Sequence, residues 1–149
     1  SYRPESDGVL VAYASIHGNT AQAARQLAEM LKAKGAEVTL MDLVRTDPSA
    51  VLAEAFRCSR MVVASSSYDA GLFPAMDAFL RKLQAKSYQR RKVGIVENGS
   101  WAPSAGRCMK ALLEEMKEID LVPQIVTIKT TVKPETAAAL EALAQAILA

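Results

Sequence analysis

Histidine and cysteine are scarce in this chain: its 149 residues include one histidine and two cysteines. Cys58 and Cys108 lie far apart and form no C-x-x-C pattern, so the sequence indicates neither a zinc site nor a disulfide framework. The single histidine, His17, has no partner at the H-x-E or H-x-x-H spacing of metal sites. We therefore assign no metal ligand, and we expect any metal chemistry to come from outside this chain.

Long apolar runs and a strong net charge are lacking as well. The longest apolar runs have the length of a strand, too short for a helix that spans a membrane, and residues 1–7 contain no apolar signal-peptide core. A formal net charge of +2 gives no argument for nucleic acid, and the one dense basic run, residues 86–92, is predicted to be a solvated loop. We expect a soluble cytoplasmic protein with neither nucleic acid nor a membrane as a partner.

The length fits one domain. With half of its residues hydrophobic, a chain of 149 residues buries one ordinary core and is too short for two comfortable domains. Residues 1–7 are polar, contain Pro4 and begin without methionine, so we interpret them as a linker or an added remnant, and residues 8–149 as the domain. On this interpretation the chain is one module of a larger protein.

Short apolar runs of strand length alternate with segments of helical periodicity along the whole chain. The predicted strands are residues 8–14, 37–43, 60–65, 92–97 and 122–129. The predicted helices are residues 20–34, 48–56, a segment that begins at Pro74, 105–117 and 134–148. Strands that alternate with helices over short connections form right-handed βαβ units, so we predict an α/β fold with a doubly wound parallel sheet.

The turn between the first strand and the first helix, residues 15–20, is typical of a phosphate site. The first amide groups of a helix lack intrahelical partners, and together with the helix dipole they attract an anion without any lysine. Gly18 and Asn19 suit such a turn because glycine accepts a positive φ and asparagine tolerates it, while Ser15 and Thr20 offer hydroxyl groups. The same residues also fit a capped turn that binds nothing.

Two later loops follow predicted strands, and each contains an aromatic residue. Tyr68 lies in residues 65–71 and Trp101 in residues 98–104. Ligands of doubly wound sheets bind beyond the carboxyl ends of the strands, so we expect these loops to converge with the phosphate turn. Two aromatic rings beside an anion site fit a flat ring system that carries a phosphate, which predicts flavin mononucleotide (FMN). Taken singly, each aromatic ring could instead fold onto its own helix.

Three motifs make the chain resemble flavodoxins, and most closely the C-terminal flavodoxin domain of the flavodiiron proteins, the A-type flavoproteins. The first loop matches the S/T-x-x-G-N-T motif of that family. Residues 64–74 are similar to G-S-P-T-Y-N-x-G-L-F-P, with Ser66 in place of proline and Asp69 in place of asparagine. Residues 97–106 resemble the variant E-N-G-S-W-A-P-x-A-G. The resemblance covers residues 8–148 and implies a five-stranded flavodoxin-like sheet in the order 2-1-3-4-5.

By this resemblance the chain binds FMN and transfers electrons. The first loop would hold the phosphate, in part through backbone amides, and the other two loops would lie on either side of the isoalloxazine ring. The resemblance assigns Ser15, His17, Gly18, Asn19 and Thr20 to the phosphate, Ser65, Ser67, Tyr68 and Asp69 to one side of the ring, and Asn98, Gly99 and Trp101 to the other. No catalytic residue is assigned.

The resemblance also implies partners. In flavodiiron proteins FMN passes electrons from a rubredoxin or an NAD(P)H-dependent reductase to a diiron site that reduces oxygen or nitric oxide. That site belongs to a metallo-β-lactamase-like domain, which would be part of the same polypeptide and could face the flavin across a head-to-tail homodimer. This chain would then be the redox domain of an oxidoreductase, an electron carrier without substrate turnover of its own. A free-standing flavodoxin, an FMN-dependent quinone reductase and a flavin-free interaction module stay open as alternatives.

Overall fold

A buried parallel sheet forms the centre of the computed structural model, which describes residues 4–15, 18–68, 71–99, 104–129 and 133–149. Its strands are β1 (Ser6–Ala14), β2 (Val38–Asp42), β3 (Cys58–Tyr68), β4 (Gly71–Leu72), β5 (Arg91–Asn98), β6 (Ile119–Leu121) and β7 (Val126–Ile128). The order across the sheet is β2-β1-β3-β5-β6, β7 pairs with β5, and β4 is a short antiparallel addition to β3. Since β5 is the fourth parallel strand, this confirms the predicted order.

In the described ranges five helices cover the two faces of the sheet: α1 (Gly18–Ala33), α2 (Pro48–Arg57), α3 (Pro74–Ala85), α4 (Ala105–Glu114) and α5 (Pro134–Leu148). Alternate residues of β1 point to opposite sides: Leu10 packs in the core under α2, α3 and α4, while Val9 and Val11 pack under α1 and α5. The predicted doubly wound arrangement is therefore confirmed. Within the described ranges no helix is long and apolar enough to cross a membrane.

Local signals mark the ends of several helices. The Asp47 carboxylate accepts a hydrogen bond of 2.9 Å from the Ser49 amide, and Pro48 occupies the first helical position of α2. After α1, Gly35 has a φ of 90°, and the Ala36 amide donates to the Leu31 carbonyl at 3.1 Å. These are the start and stop signals that predicted both helices.

The fifth parallel strand differs from its prediction. Instead of one strand over residues 122–129, two short strands pair with opposite ends of β5: β6 with residues 91–93 and β7 with residues 96–98. Pro123 lies between them and has no amide hydrogen to donate to a sheet ladder. An apolar run predicted a continuous strand, and the proline at its start explains why the ladder is interrupted.

The basic run of residues 86–92 is not a fully solvated loop, so that prediction was wrong for two of its residues. Tyr88 is 1% exposed and Arg91 is 2% exposed. The Arg91 guanidinium donates to the carbonyls of Phe56 and of Cys58, and it lies 5.8 Å from the Phe56 ring centre and 5.3 Å from that of Tyr88. Charge-assisted hydrogen bonds and two aromatic rings stabilise this buried cation.

Candidate functional site

The carboxyl ends of the central strands lie side by side at one edge of the sheet. In the strand register Ala14 is opposite Ser65, Ser65 is opposite Glu97, and Asn98 is opposite Ile128. The register therefore places the ends of β1, β3 and β5 at one edge of the sheet. The second predicted loop, residues 65–71, differs from its prediction, because residues 65–68 continue β3.

The start of α1 contains a fully buried hydroxyl that has no partner among the described residues. Thr20 is 0% exposed, and its Oγ1 makes no hydrogen bond to any described residue. Leaving a buried hydroxyl unpaired costs roughly 1–3 kcal/mol, so such a group needs an explanation. A ligand at the first turn of this 16-residue helix would supply the missing partner, and a helix start favours an anion there.

Gly18 and Asn19 were expected to suit this turn because they accept a positive φ angle, and that explanation was wrong. Among the described residues positive φ angles occur at Gly35, Ser87, Arg90 and Glu118, and not at the start of α1. Gly18 and Asn19 belong to the first turn of the helix itself, which needs no left-handed backbone. Apart from its chain neighbours, no atom of the described residues lies within 4 Å of a Cβ atom placed on Gly18, so the described part of the chain leaves space there for a ligand.

At the start of α4, in contrast, side chains from two strands occupy the amide groups. The Ser67 hydroxyl accepts hydrogen bonds from the amides of Ser104 at 3.1 Å and of Ala105 at 3.2 Å. The Glu97 carboxylate accepts one from the Gly106 amide at 2.9 Å. The helix start is thus capped from within the protein, which leaves little capacity for a bound anion at these amides.

Glu97 also connects α4 to the neighbouring strand. Its Oε1 atom accepts from the Gly106 amide, while its Oε2 atom accepts from the Thr127 hydroxyl at 2.6 Å. The carboxylate therefore bonds to α4 and β7 at once. Nearby, the hydroxyl of Ser104 is a second buried group without a partner among the described residues, on a residue that is 3% exposed.

The sequence reasoning did not select Glu97, Ser104 or Thr127. Glu97 and Ser104 lie within the motif of residues 97–106, so the motif could have drawn attention to them. Thr127 lies outside every motif, and only the pairing of β7 with β5 brings it beside Glu97.

The structure describes eight of the twelve predicted site residues in full, the backbone of a ninth, and not the other three. Ser15, Gly18, Asn19, Thr20, Ser65, Ser67, Asn98 and Gly99 lie at the carboxyl edge of the sheet or at the helix starts beside it. Tyr68 ends β3, where its backbone pairs with Gly71. His17, Asp69 and Trp101 lie outside the described residues, as does the side chain of Tyr68.

Three of these residues have local contacts that bear on their assigned roles. Ser65 is fully buried, and its hydroxyl donates to the Ser66 carbonyl at 3.1 Å. The Gly99 amide donates to the Ile128 carbonyl at 3.1 Å, which fixes the end of β5 against β7. Ser67 was assigned to the ring, and the structure shows that its hydroxyl caps α4.

In the described part of the chain no group of three acidic, histidine or cysteine residues could hold a metal ion.

Comparison with known proteins identifies the family. The family model described as flavodoxin matches residues 11–130, most of the chain. In a comparison with curated proteins, no sequence matches this chain. Among solved structures, rubredoxin oxygen:oxidoreductase from the anaerobe Desulfovibrio gigas superimposes with a TM-score of 0.92 at 22% identity, over 97% of this chain and 36% of that one.

Two further structures share the fold. The flavodiiron protein from Giardia intestinalis gives a TM-score of 0.87 at 18% identity, over 96% of this chain and 36% of that one. A flavodoxin from the domain Archaea gives 0.83 at 18% identity, over 95% of this chain and 96% of that one. The chain thus spans about a third of the length of the first two proteins and nearly all of the third.

Proposed function

This chain belongs to the flavodoxin family, whose cofactor is FMN, and we propose that it binds the FMN phosphate at the start of α1 and transfers electrons through the flavin. The buried hydroxyl of Thr20 carries this proposal. It is 0% exposed and has no partner among the described residues, and a phosphate oxygen would accept its hydrogen bond. Residues 15–20 contain neither lysine nor arginine, so neutral donors and the helix dipole would do the binding.

The remaining residues at this edge fit the rest of the cofactor. Ser65, Asn98 and Gly99 lie on neighbouring strand ends, and the unpaired Ser104 hydroxyl lies at the start of α4. We assign these residues to the side of the site that holds the isoalloxazine ring, together with Tyr68, Asp69 and Trp101 on sequence grounds. Bound FMN supplies one- and two-electron transfer, while the protein positions the ring and holds the phosphate.

The wider role that we propose is that of an electron relay within a flavodiiron protein. Its support is the Gly-Leu-Phe-Pro sequence at residues 71–74, together with the TM-score of 0.92 to rubredoxin oxygen:oxidoreductase, of which this chain matches 36%. In that role a rubredoxin or an NAD(P)H-dependent reductase would deliver electrons, and a diiron metallo-β-lactamase-like domain would receive them. A free-standing flavodoxin is the second candidate, favoured by the 96% coverage of the archaeal flavodoxin.

Replacing Thr20 by valine tests the phosphate assignment. Valine keeps the shape of threonine and removes the hydroxyl, so the flavin-free protein should unfold at the same or a higher urea concentration. The loss of a hydrogen bond to a charged phosphate, about 1.5–3 kcal/mol, should weaken FMN binding about tenfold or more. Riboflavin, which has no phosphate, should bind equally to the wild type and to Thr20→Val.

Thr39→Val is the matched control. The Thr39 hydroxyl donates to the Glu54 carboxylate at 2.6 Å, so its loss should lower stability and leave both flavin affinities unchanged. Fluorescence titrations with FMN and riboflavin measure the affinities. If Thr20→Val weakens riboflavin as much as FMN, the phosphate is not bound at this hydroxyl. If the wild type binds no flavin, the proposed function is wrong.

A further inference from the structure

We propose that Glu97 is a positioning residue for the flavin ring, because its carboxylate fixes the start of α4 relative to the ends of β5 and β7. The inference depends on the proposed function, since it assumes that the ring lies beside these three elements. Glu97 itself is not assigned a contact with the flavin. Its effect on binding would act through the backbone and side chains that it holds in place.

Both oxygens of this carboxylate are used, and each bonds to a different element. Oε1 accepts from the Gly106 amide in the first turn of α4 at 2.9 Å, and Oε2 accepts from the Thr127 hydroxyl of β7 at 2.6 Å. A carboxylate makes shorter and stronger hydrogen bonds than a neutral acceptor, and a helix start adds its dipole. These two bonds span the edge of the sheet where β5 ends at Asn98.

The glycine at position 106 leaves room for this carboxylate. A Cβ atom on Gly106 would lie 2.8 Å from Glu97 Oε1, 2.9 Å from Glu97 Cδ and 3.0 Å from Ile125 Cγ2. The two contacts to the Glu97 carboxylate are shorter than a Cβ atom tolerates, so an alanine at position 106 would push this carboxylate out of its place. Gly106→Ala is therefore a second way to break the same contact without changing Glu97 itself.

The capping of α4 also makes the two helix starts at this edge differ in their capacity to bind an anion. Ser67 and Glu97 occupy amides of Ser104, Ala105 and Gly106, and the negative charge of Glu97 already complements the helix dipole. A second anion at this helix start would be repelled by the carboxylate. The arrangement therefore directs the phosphate to α1 and leaves the side of α4 to the uncharged ring.

The test compares the FMN and riboflavin affinities of the wild type with those of three variants, Glu97→Ala, Gly106→Ala and Glu97→Gln. Glu97→Ala and Gly106→Ala should each weaken both ligands by the same factor, about tenfold, because the ring is common to both. Glu97→Gln should restore affinity to within about threefold of the wild type, because the glutamine oxygen can accept from Gly106 while its NH₂ group donates to Thr127. The visible circular dichroism of bound flavin should change in the two alanine variants and stay like the wild type in Glu97→Gln.

Asp47→Ala is the matched control, since it removes a carboxylate that caps α2 through a 2.9 Å bond to the Ser49 amide. It should lower the melting temperature and change neither affinity. If Glu97→Ala does not fold, Thr127→Val replaces it in the test. This variant removes the hydrogen bond from Thr127 to Glu97 and should weaken the binding of both flavins about threefold.

Two outcomes would overturn the inference while leaving the proposed function intact. One is unchanged affinity for both flavins in Glu97→Ala and Gly106→Ala. The other is a loss confined to FMN, which would place Glu97 with the phosphate. A wild type that binds neither flavin would overturn the proposed function instead, so the two failures are distinguishable.

Discussion

Stability in acid should depend in part on Glu54, a carboxylate near the end of α2 on the side of the sheet away from the candidate site. Glu54 in α2 accepts hydrogen bonds from Arg57 at 2.5 and 2.9 Å, from the Thr39 hydroxyl at 2.6 Å, and from the Cys58 thiol at 3.8 Å. Hydrogen bonding to Arg57 is the main reason why the pKa of Glu54 falls from 4.5 to about 2, and the Thr39 hydrogen bond adds to it while desolvation opposes it.

The contribution of Glu54 to the free energy of folding follows from this lowered pKa. A drop from 4.5 to about 2 corresponds to at most about 3–4 kcal/mol of folding free energy, at about 1.36 kcal/mol per pKa unit. Because the Arg57 side chain is 35% exposed, water screens the pair, and we expect about 1–2 kcal/mol. The pKa is lower in the folded state, so this stability is present above pH 4.5 and is lost as the pH falls towards 2.

Urea unfolding of the wild type and of Glu54→Gln at several pH values between 7 and 2 measures this contribution. At pH 7 the variant should be less stable by about 1–2 kcal/mol, and the difference should shrink steadily below pH 4.5 as Glu54 of the wild type becomes protonated. Glu114→Gln, which changes an exposed carboxylate, should stay within about 0.5 kcal/mol of the wild type throughout. A Glu54→Gln difference that does not vary with pH would refute the assignment.

Two further predictions concern the core and the proposed role. The Tyr88 hydroxyl is buried without a partner among the described residues, so Tyr88→Phe should keep the ring contact with Phe56 and raise the free energy of unfolding by up to about 1 kcal/mol; a loss of stability in urea would reveal a hydrogen bond to this hydroxyl. The chain loaded with FMN should accept electrons from dithionite and return them to oxygen only by slow autoxidation. Rapid, saturable consumption of nitric oxide by this chain alone would contradict its proposed place as a relay to a separate diiron domain.

The regular elements could be predicted from the sequence because their signals are local. Residues 9–12 form a continuous apolar run, which is typical of a strand covered on both faces, and β1 is buried there on both sides. Asp47 and Pro48 mark the start of α2, and Gly35 marks the end of α1. Each signal depends on neighbours within one turn of the chain, so no knowledge of the tertiary structure was needed.

The contacts that assemble the candidate site could not be predicted in the same way. Ser67 meets the start of α4 across 37 residues, and Glu97 meets Thr127 across 30. Arg91 looked like part of a solvated basic run, and it is buried because carbonyls of α2 and β3 accept its hydrogen bonds. Such pairings depend on strand order and register, which local patterns do not specify.

The starts of α1 and α4 show why such long-range contacts matter for the proposed function. In the sequence both helix starts follow a strand and a loop with hydroxyl groups, and the motif assigned the phosphate to residues 15–20 alone. The structure separates them through residues that belong to neither helix: Ser67 on β3 and Glu97 on β5 fill the start of α4, while the buried Thr20 hydroxyl in α1 has no partner among the described residues. An anion is stabilised where donors are unpaired and is repelled where a carboxylate already caps the helix. The phosphate position that we propose therefore depends on the assembled sheet edge as much as on the motif at residues 15–20.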